Sequence, residues 1–564
     1  MNTSLDNIWI DYPRPGLRRK TYSILNGEWL LNSKKIIVPF PPQAELSKYN
    51  GEITDELIYE LDFLIPKNFN REIILLHFGA VDQIANVWLN DEYLGKHEGG
   101  YLPFSFDISK FVRKNNLNHL KVQVIDTLSN EYPYGKQRKK RGGMWYTPVS
   151  GIWQTVWLEN VPLNYIKSLK ITPDMSGIDI CLDSEISNFT AIIELENDNR
   201  LTKHFDSFNG RIDLTNENDD DGNIISPKLW TPDNPHLYNM RIITDFDEVT
   251  TYFALRKIEI LNINGISRVC LNSKPIFMHG VLDQGYYEDG IYLPKDSNEY
   301  KNDILRMKEL GFNTLRKHIK IEPEIFYYYC DKLGMLVVQD MVNSGSYSFL
   351  KDTALPTIGF KKRKDTKKTA HKDNDVFRKE FFKKHMTDTI KHLHNHPSII
   401  VYTIFNEGWG QFDSDNLYET ARKFDSSRLY DSTSGWFAQK KNDFDSIHIY
   451  FRSKVLNPKE RPLFLSECGG FTYKDLEHCF NPDKTYGYGA CKSSEELTDR
   501  IISMYEKMVI PTIEKGLCGC IYTQLSDVED EVNGFYTYDR IVCKVDKEKI
   551  RKLSDRILDI IKLL

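Results

Sequence analysis

Hydrophobic and polar positions change rhythm twice along the chain. Before about residue 160, apolar residues form short runs or alternate with polar ones. Ile73-Ile74-Leu75-Leu76-His77-Phe78 is one such run. Ala85-Asn86-Val87-Trp88-Leu89-Asn90 and Lys121-Val122-Gln123-Val124-Ile125 alternate, and Gly151 to Leu158 (GIWQTVWL) closes the region. Alternation with period two predicts half-buried strands. Many short strands with no long helical pattern predict a β jelly roll or sandwich over residues 1–160. Residues 161–257 keep the strand rhythm in Ile178 to Leu182 and Ala191 to Leu195, predicting a smaller immunoglobulin-like β-sandwich; the acidic stretch from Asn216 to Asn223 reads as a solvated loop.

From residue 258 the rhythm is different. Short apolar runs now alternate with amphipathic stretches such as Asp303 to Leu310. The runs are Phe277 to Gly280, Thr314 to His318, Met335 to Asp340, Ile399 to Glu407, Leu429 to Thr433, Ile447 to Tyr450, Leu463 to Glu467 and Cys520 to Gln524. Eight βα-type units over residues 258–564 predict a C-terminal (β/α)8 TIM barrel. An insertion at 343–375 interrupts the third unit and predicts a mobile loop near the barrel mouth.

Composition narrows the function classes. The length of 564 residues exceeds one hydrophobic core, in keeping with several domains. Aromatic residues reach 12%; their apolar faces and polar tips suit sugar rings, and equally an aromatic-rich β core. A net charge of −6 with dispersed Lys and Arg argues against nucleic acid. The basic run Lys361-Lys362-Arg363-Lys364, continued by Lys367-Lys368, reads as a solvated loop. No apolar run is long enough to span a membrane, and the N-terminus lacks a signal-peptide pattern. The nine cysteines are odd in number and lack metal-ligand spacing. They predict buried free thiols in a cytoplasmic protein; separately, no metal and no cofactor is expected.

The candidate chemistry sits at the strand ends. Reactive side chains of a TIM barrel project from the C-terminal ends of its strands. Here the third run ends in Asp340, the fourth in Asn406-Glu407, the sixth in His448 and Tyr450, and the seventh in Glu467. Buried carboxylates are costly unless paired or functional. Glu407 and Glu467, on strands four and seven, would face one another across the mouth. Glycosidic cleavage needs one carboxyl to protonate the leaving oxygen and a second to attack carbon or activate water. Either Glu alone reads equally as a rim ion-pair partner; the two together point to a glycosidase.

Asn406-Glu407 with Glu467 resembles the clan-A glycosidases. Leu25 to Trp29 (LNGEW), Gly79 to Trp88, Gly151 to Glu159, Leu229 to Pro235 and His394 to Ile399 resemble glycoside hydrolase family 2 specifically, over nearly the whole chain. The resemblance implies a sugar-binding-like jelly roll, an immunoglobulin-like sandwich and a catalytic barrel. It implies a retaining double displacement, with Glu467 as nucleophile and Glu407 as acid/base. It further implies that Asn406 hydrogen-bonds the sugar 2-OH and that Tyr450 hydrogen-bonds the nucleophile. His448, His318, Asp340 and Trp436 are candidate substrate contacts, as is Trp145, which stands where the β-galactosidases and β-glucuronidases place an Asp. Trp409, Asp527 and Glu529 are further mouth candidates. The Asn-x-Lys of family glucuronidases is not matched in Val532-Asn533-Gly534-Phe535-Tyr536. A β-galactosidase-like exo-glycosidase is therefore expected. Alternatives are a β-glucuronidase or β-mannosidase-type hydrolase, an inverting enzyme, or a non-catalytic carbohydrate-binding protein. The expected partner is a β-linked glycoside or oligosaccharide, and the family resemblance implies a homo-oligomer.

Overall fold

A computed structural model describes residues 9–183, 185–366, 376–458 and 460–564. The N-terminal part packs two antiparallel sheets face to face. One has six strands and holds Asn118–Ile125 between Glu56–Phe63 and Ile84–Leu89; the other has four, with Ile73–Phe78 paired to Val156–Val161. Buried and part-buried positions alternate along most of Asn118–Ile125, so Leu120, Val122 and Val124 enter a core shared with Trp29, Tyr59, Leu76 and Phe78. A second sandwich follows. It sets a three-stranded sheet, Leu169–Pro173 with Gly177–Leu182 and Asn209–Asp213, against a four-stranded one built on Phe189–Glu194 and Tyr238–Ile243.

Eight parallel strands build the barrel: β1 (Met278–Asp283), β2 (Thr314–Lys317), β3 (Leu336–Asp340), β4 (Ile399–Thr403), β5 (Leu429–Asp431), β6 (Asp445–Ile449), β7 (Leu463–Cys468) and β8 (Leu517–Tyr522). β3, β4, β7 and β8 are buried at every residue, because inward faces meet the barrel core and outward faces meet helices. This double burial makes the strands continuous apolar runs, and it makes their polar ends conspicuous. No described backbone pairing joins β5 to β6. That seam is bridged by Asp431, whose carboxylate accepts hydrogen bonds from Ser446 Oγ (2.6 Å) and Asn442 Nδ2 (3.1 Å). A hairpin, Ile258–Ile263 with Ile266–Leu271, closes the opposite end: Ile258, Val269 and Leu271 pack with Met278, Leu336, Val338 and Val401.

Two expectations need correction. Eight strands form, but among the described residues no helix stands between β5 and β6 or between β6 and β7. The 432–444 connection runs instead over the mouth, where it carries Trp436. The basic run is also not simply solvated. Lys361 Nζ lies 4.7 Å from the Trp436 ring centre, and the Arg363 guanidinium lies 4.0 Å from that of Phe437 while donating to Asp352. Only Lys362 and Lys364 are exposed; Lys367 and Lys368 lie outside the described residues. The described part of the insertion holds two short helical stretches, Phe349–Ala354 and Leu355–Thr357. All nine cysteines are free, six of them buried and three half-buried. Among the described residues no helix is long and apolar enough to cross a membrane.

Candidate active site

The ends of β2, β3, β4, β6 and β7 converge on one buried network. Arg316, on β2, is its hub. The guanidinium donates to Asp340 Oδ1 (3.0 Å), Glu467 Oε1 (3.1 Å), Asn406 Oδ1 (2.9 Å) and the Ser466 carbonyl (2.9 Å). Its planar fork suits this task, since one rigid cation fixes four acceptors from three strand ends. Asp340 gives its other oxygen to His318 Nδ1 at 2.8 Å.

Glu407 and Glu467 meet above this hub. Together with His448 they present ligating atoms within 4.8 Å of one another, the one such three-residue cluster among the described residues. Tyr450 Oη donates to Glu467 Oε2 at 2.7 Å and lies 3.1 Å from Glu407 Oε1. His448 Nδ1 lies 2.9 Å from the same Glu407 oxygen, and its Nε2 lies 3.0 Å from Ser434 Oγ. Burial pushes the Glu407 carboxyl above its ordinary range, against the opposing pull of Tyr450, Lys136, His318 and Arg316. Burial also lowers His448 to about 3, so its imidazole is neutral. Glu407 holds its backbone at φ 50, a left-handed conformation unusual for a branchless charged residue. Bonds to the segment that follows β5 fix it there: Glu407 N–H donates to the Ser434 carbonyl and Ser434 N–H to that of Phe405.

A pocket opens over the two carboxylates. It is lined by Glu407, Glu467, Asn406, Tyr450 and His318 together with Trp409, Leu282, Gln284, Thr523, Tyr488, Glu531, Lys136 and Met144. Asp340 sits behind it with both oxygens engaged. His448 and Trp436 stand beside Glu407, the Trp436 ring edge-on to His448 at 5.3 Å and its Nε1 donating to the Asp352 carbonyl. Trp145 is one ring removed, stacked on Trp409 at 5.3 Å. Asp527 and Glu529 are buried. Asp527 pairs with Lys544 (2.6 Å), while Glu529 accepts from the Thr147 N–H (2.8 Å).

Sequence reasoning missed Arg316, although a lone Arg within an apolar run is a visible signal. It also missed Gln284, Tyr488, Thr523, Glu531, Lys136 and Met144, which come from connections. Lys136 and Met144 belong to the jelly-roll domain. Their loop is held on the barrel by Tyr134, whose N–H donates to the Asn343 carbonyl (3.0 Å) and whose Oη donates to that of Gly345 (2.9 Å).

Three family models match the chain in order: the sugar binding domain of glycosyl hydrolases family 2 over residues 36–162, a second family 2 domain over 164–256, and the family 2 TIM barrel domain over 261–462. The chain belongs to glycoside hydrolase family 2. It is similar to a β-galactosidase of Thermoanaerobacter pseudethanolicus, 25% identical over 440 residues, covering 74% of this chain and 54% of that protein. It is also similar to a putative β-glucuronidase of Formosa agariphila, 24% identical over 471 residues, covering 75% of this chain and 51% of that one. The chain thus spans about half the length of these curated relatives. In fold it matches the solved β-D-glucuronidase of Dictyoglomus thermophilum with a TM-score of 0.73 at 19% identity, over 97% of this chain and 98% of that one.

Proposed function

We propose that the protein is a retaining, exo-acting β-glycosidase with Glu467 as nucleophile and Glu407 as acid/base. The observation that carries this is the spacing of the two carboxylates. Oxygens within 4.8 Å of each other favour the retaining arrangement of about 5–5.5 Å over the inverting one of about 6.5–9.5 Å, which leaves room for a water. Glu467, held by Arg316 and Tyr450, attacks the anomeric carbon. Glu407, whose protonated form burial favours, delivers its proton to the aglycone oxygen. It then takes a proton from water as the glycosyl-enzyme is hydrolysed. Asn406, fixed by Arg316, presents its amide N–H2 to the sugar 2-OH. The pocket is walled by Trp409, Tyr488, Lys136 and Met144, which suits a terminal sugar rather than an extended chain. The relatives carry β-galactosidase and β-glucuronidase names, so the proposal covers β-galactosides and β-glucuronides. In a panel of aryl β-glycosides, Glu467→Gln abolishes turnover, a 2-deoxy-2-fluoro glycosyl fluoride labels Glu467, and the first-formed sugar is the β anomer. Labelling of another residue, or an α-configured first product, refutes the assignment.

A further inference from the structure

Among the described residues four lysines are buried, and three of them have carboxylate partners. Lys317 reaches Asp283 (2.6 Å) and Glu322 (2.9 Å), Lys320 reaches Glu322 (2.9 Å) and Lys544 reaches Asp527 (2.6 Å). Lys136 is the exception. It is 6% exposed and lines the pocket, yet among the described residues no carboxylate oxygen lies within 4.0 Å of its Nζ. Its ammonium sits 5.2 Å from the Tyr146 ring centre and 5.9 Å from that of Trp409. Aromatic faces stabilise a cation without neutralising it. A buried charge needs a counter-charge, so the missing partner points to a ligand.

The pocket's own carboxylates do not fill that place. Glu467 is paired with Arg316. Glu531 accepts from the Tyr146 hydroxyl and from Asn533 Nδ2 (3.1 Å). Glu407 is bound by Tyr450 and His448 and, on the proposed mechanism, carries the catalytic proton. The same pocket holds further buried polar atoms without a protein partner: both amide atoms of Gln284, Thr523 Oγ1 and Trp409 Nε1. One cation and a ring of unpaired donors and acceptors therefore face the space above the nucleophile.

We propose that Lys136, supplied by the jelly-roll domain, is a specificity-determining residue that takes an anionic group, a carboxylate or a sulfate ester, on the terminal sugar. This rests on the glycosidase function proposed above and narrows it. A lysine acts as a point charge on a flexible stem and accepts either anion, whereas Gln284 and Trp409 are placed to read neutral hydroxyls.

The test compares 4-nitrophenyl β-D-galactoside and β-D-glucoside with the matching galacturonide and glucuronide, and with the galactoside 6-sulfate. One charge-assisted hydrogen bond predicts that kcat/KM for an anionic substrate exceeds that of its neutral parent by about 10- to 150-fold. Lys136→Met removes that ratio, and Lys136→Arg keeps part of it. Preference for a uronide assigns a carboxylate; preference for the 6-sulfate assigns a sulfate ester. Neutral preference in the unaltered protein, or a ratio that Lys136→Met leaves unchanged, overturns the proposal. Calorimetry separates this from the glycosidase function. D-Galacturonate, D-glucuronate and galactose 6-sulfate are titrated against galactose and glucose, into Glu467→Gln with and without Lys136→Met. If no glycoside is turned over but anionic sugars bind through Lys136, the anion site stands and the hydrolase does not. Equal binding of charged and neutral sugars removes the anion site.

Discussion

Replacing Arg316 by Met tests whether one guanidinium organises the site. The side chain is fully buried and holds two carboxylates, one amide and one carbonyl at 2.9–3.1 Å. Met fills a similar volume but leaves Asp340 and Glu467 as buried anions without their shared cation. Breaking a buried pair in this way costs about 3–5 kcal/mol, which lowers the melting temperature by something on the order of 10 °C. Asp340 adds a pH signature. Burial opposes its ionisation, but Arg316 and His318 outweigh burial and hold its pKa below the ordinary value. A carboxylate depressed in this way stabilises the fold above its unfolded pKa of about 3.9, and loses that contribution as pH falls through the folded value. The stability gap between Arg316→Met and the unaltered protein therefore narrows at the acid end. The decisive assay is a double-mutant cycle with Asp340→Asn, read in kcat/KM on an aryl β-glycoside and in melting temperature. The direct 3.0 Å bond predicts that the double variant is less impaired than the sum of the singles, by about 1.5–3 kcal/mol. Additivity within about 0.5 kcal/mol would falsify the hub.

Two further substitutions probe Glu407. Glu407→Ala cuts kcat/KM by about 10²–10⁴-fold for poor leaving groups, and by far less for a dinitrophenolate that needs no proton. On the proposed assignment the acid works protonated and its pKa is raised, so activity falls as pH rises through that pKa; the alkaline limb disappears in the variant, and its persistence would assign the acid elsewhere. Gly435→Ala acts at a distance from substrate. A Cβ there would lie 2.7 Å from His448 Nδ1, on a backbone at φ +89 that disfavours L side chains. His448 must move off Glu407, so kcat/KM should drop at least about tenfold, the low end of the range for disturbed acid catalysis; full activity would show that the His448 contact is dispensable.

The barrel and its carboxylates were legible because parallel strands buried on both faces read as unbroken apolar runs. A polar residue terminating such a run stands out, and Glu407 and Glu467 both do so. The same signal marked Asp340, yet it could not tell a side chain that faces the pocket from one held behind it. Partners decide that difference, and the partner here is Arg316, an unremarked residue between Leu315 and Lys317. The missing helices were illegible for a related reason. Their connections carry the side chains that close the mouth, Trp436 among them, so their polarity follows the site rather than a helical period. Lys136 and Gln284 were illegible because their significance lies in a partner that is absent from the chain.

What completes the site is the docking of one domain on another. The jelly-roll loop contributes Lys136 and Met144 to the pocket and lays Trp145 on Trp409. It is fastened at both ends of its reach: by Tyr134 to the Asn343 and Gly345 carbonyls, and by Tyr146 and Thr147 to Glu531 and Glu529 beyond β8. Each of these contacts buries a polar group that the isolated barrel would leave to water. Glu531 and Trp409 would then border solvent instead of a lined pocket, and the electrostatic advantage of a water-poor site would go with it. The barrel supplies the two carboxylates and the cation that organises them. The jelly roll shields them and places beside them Lys136, whose Nζ has no carboxylate oxygen within 4.0 Å among the described residues.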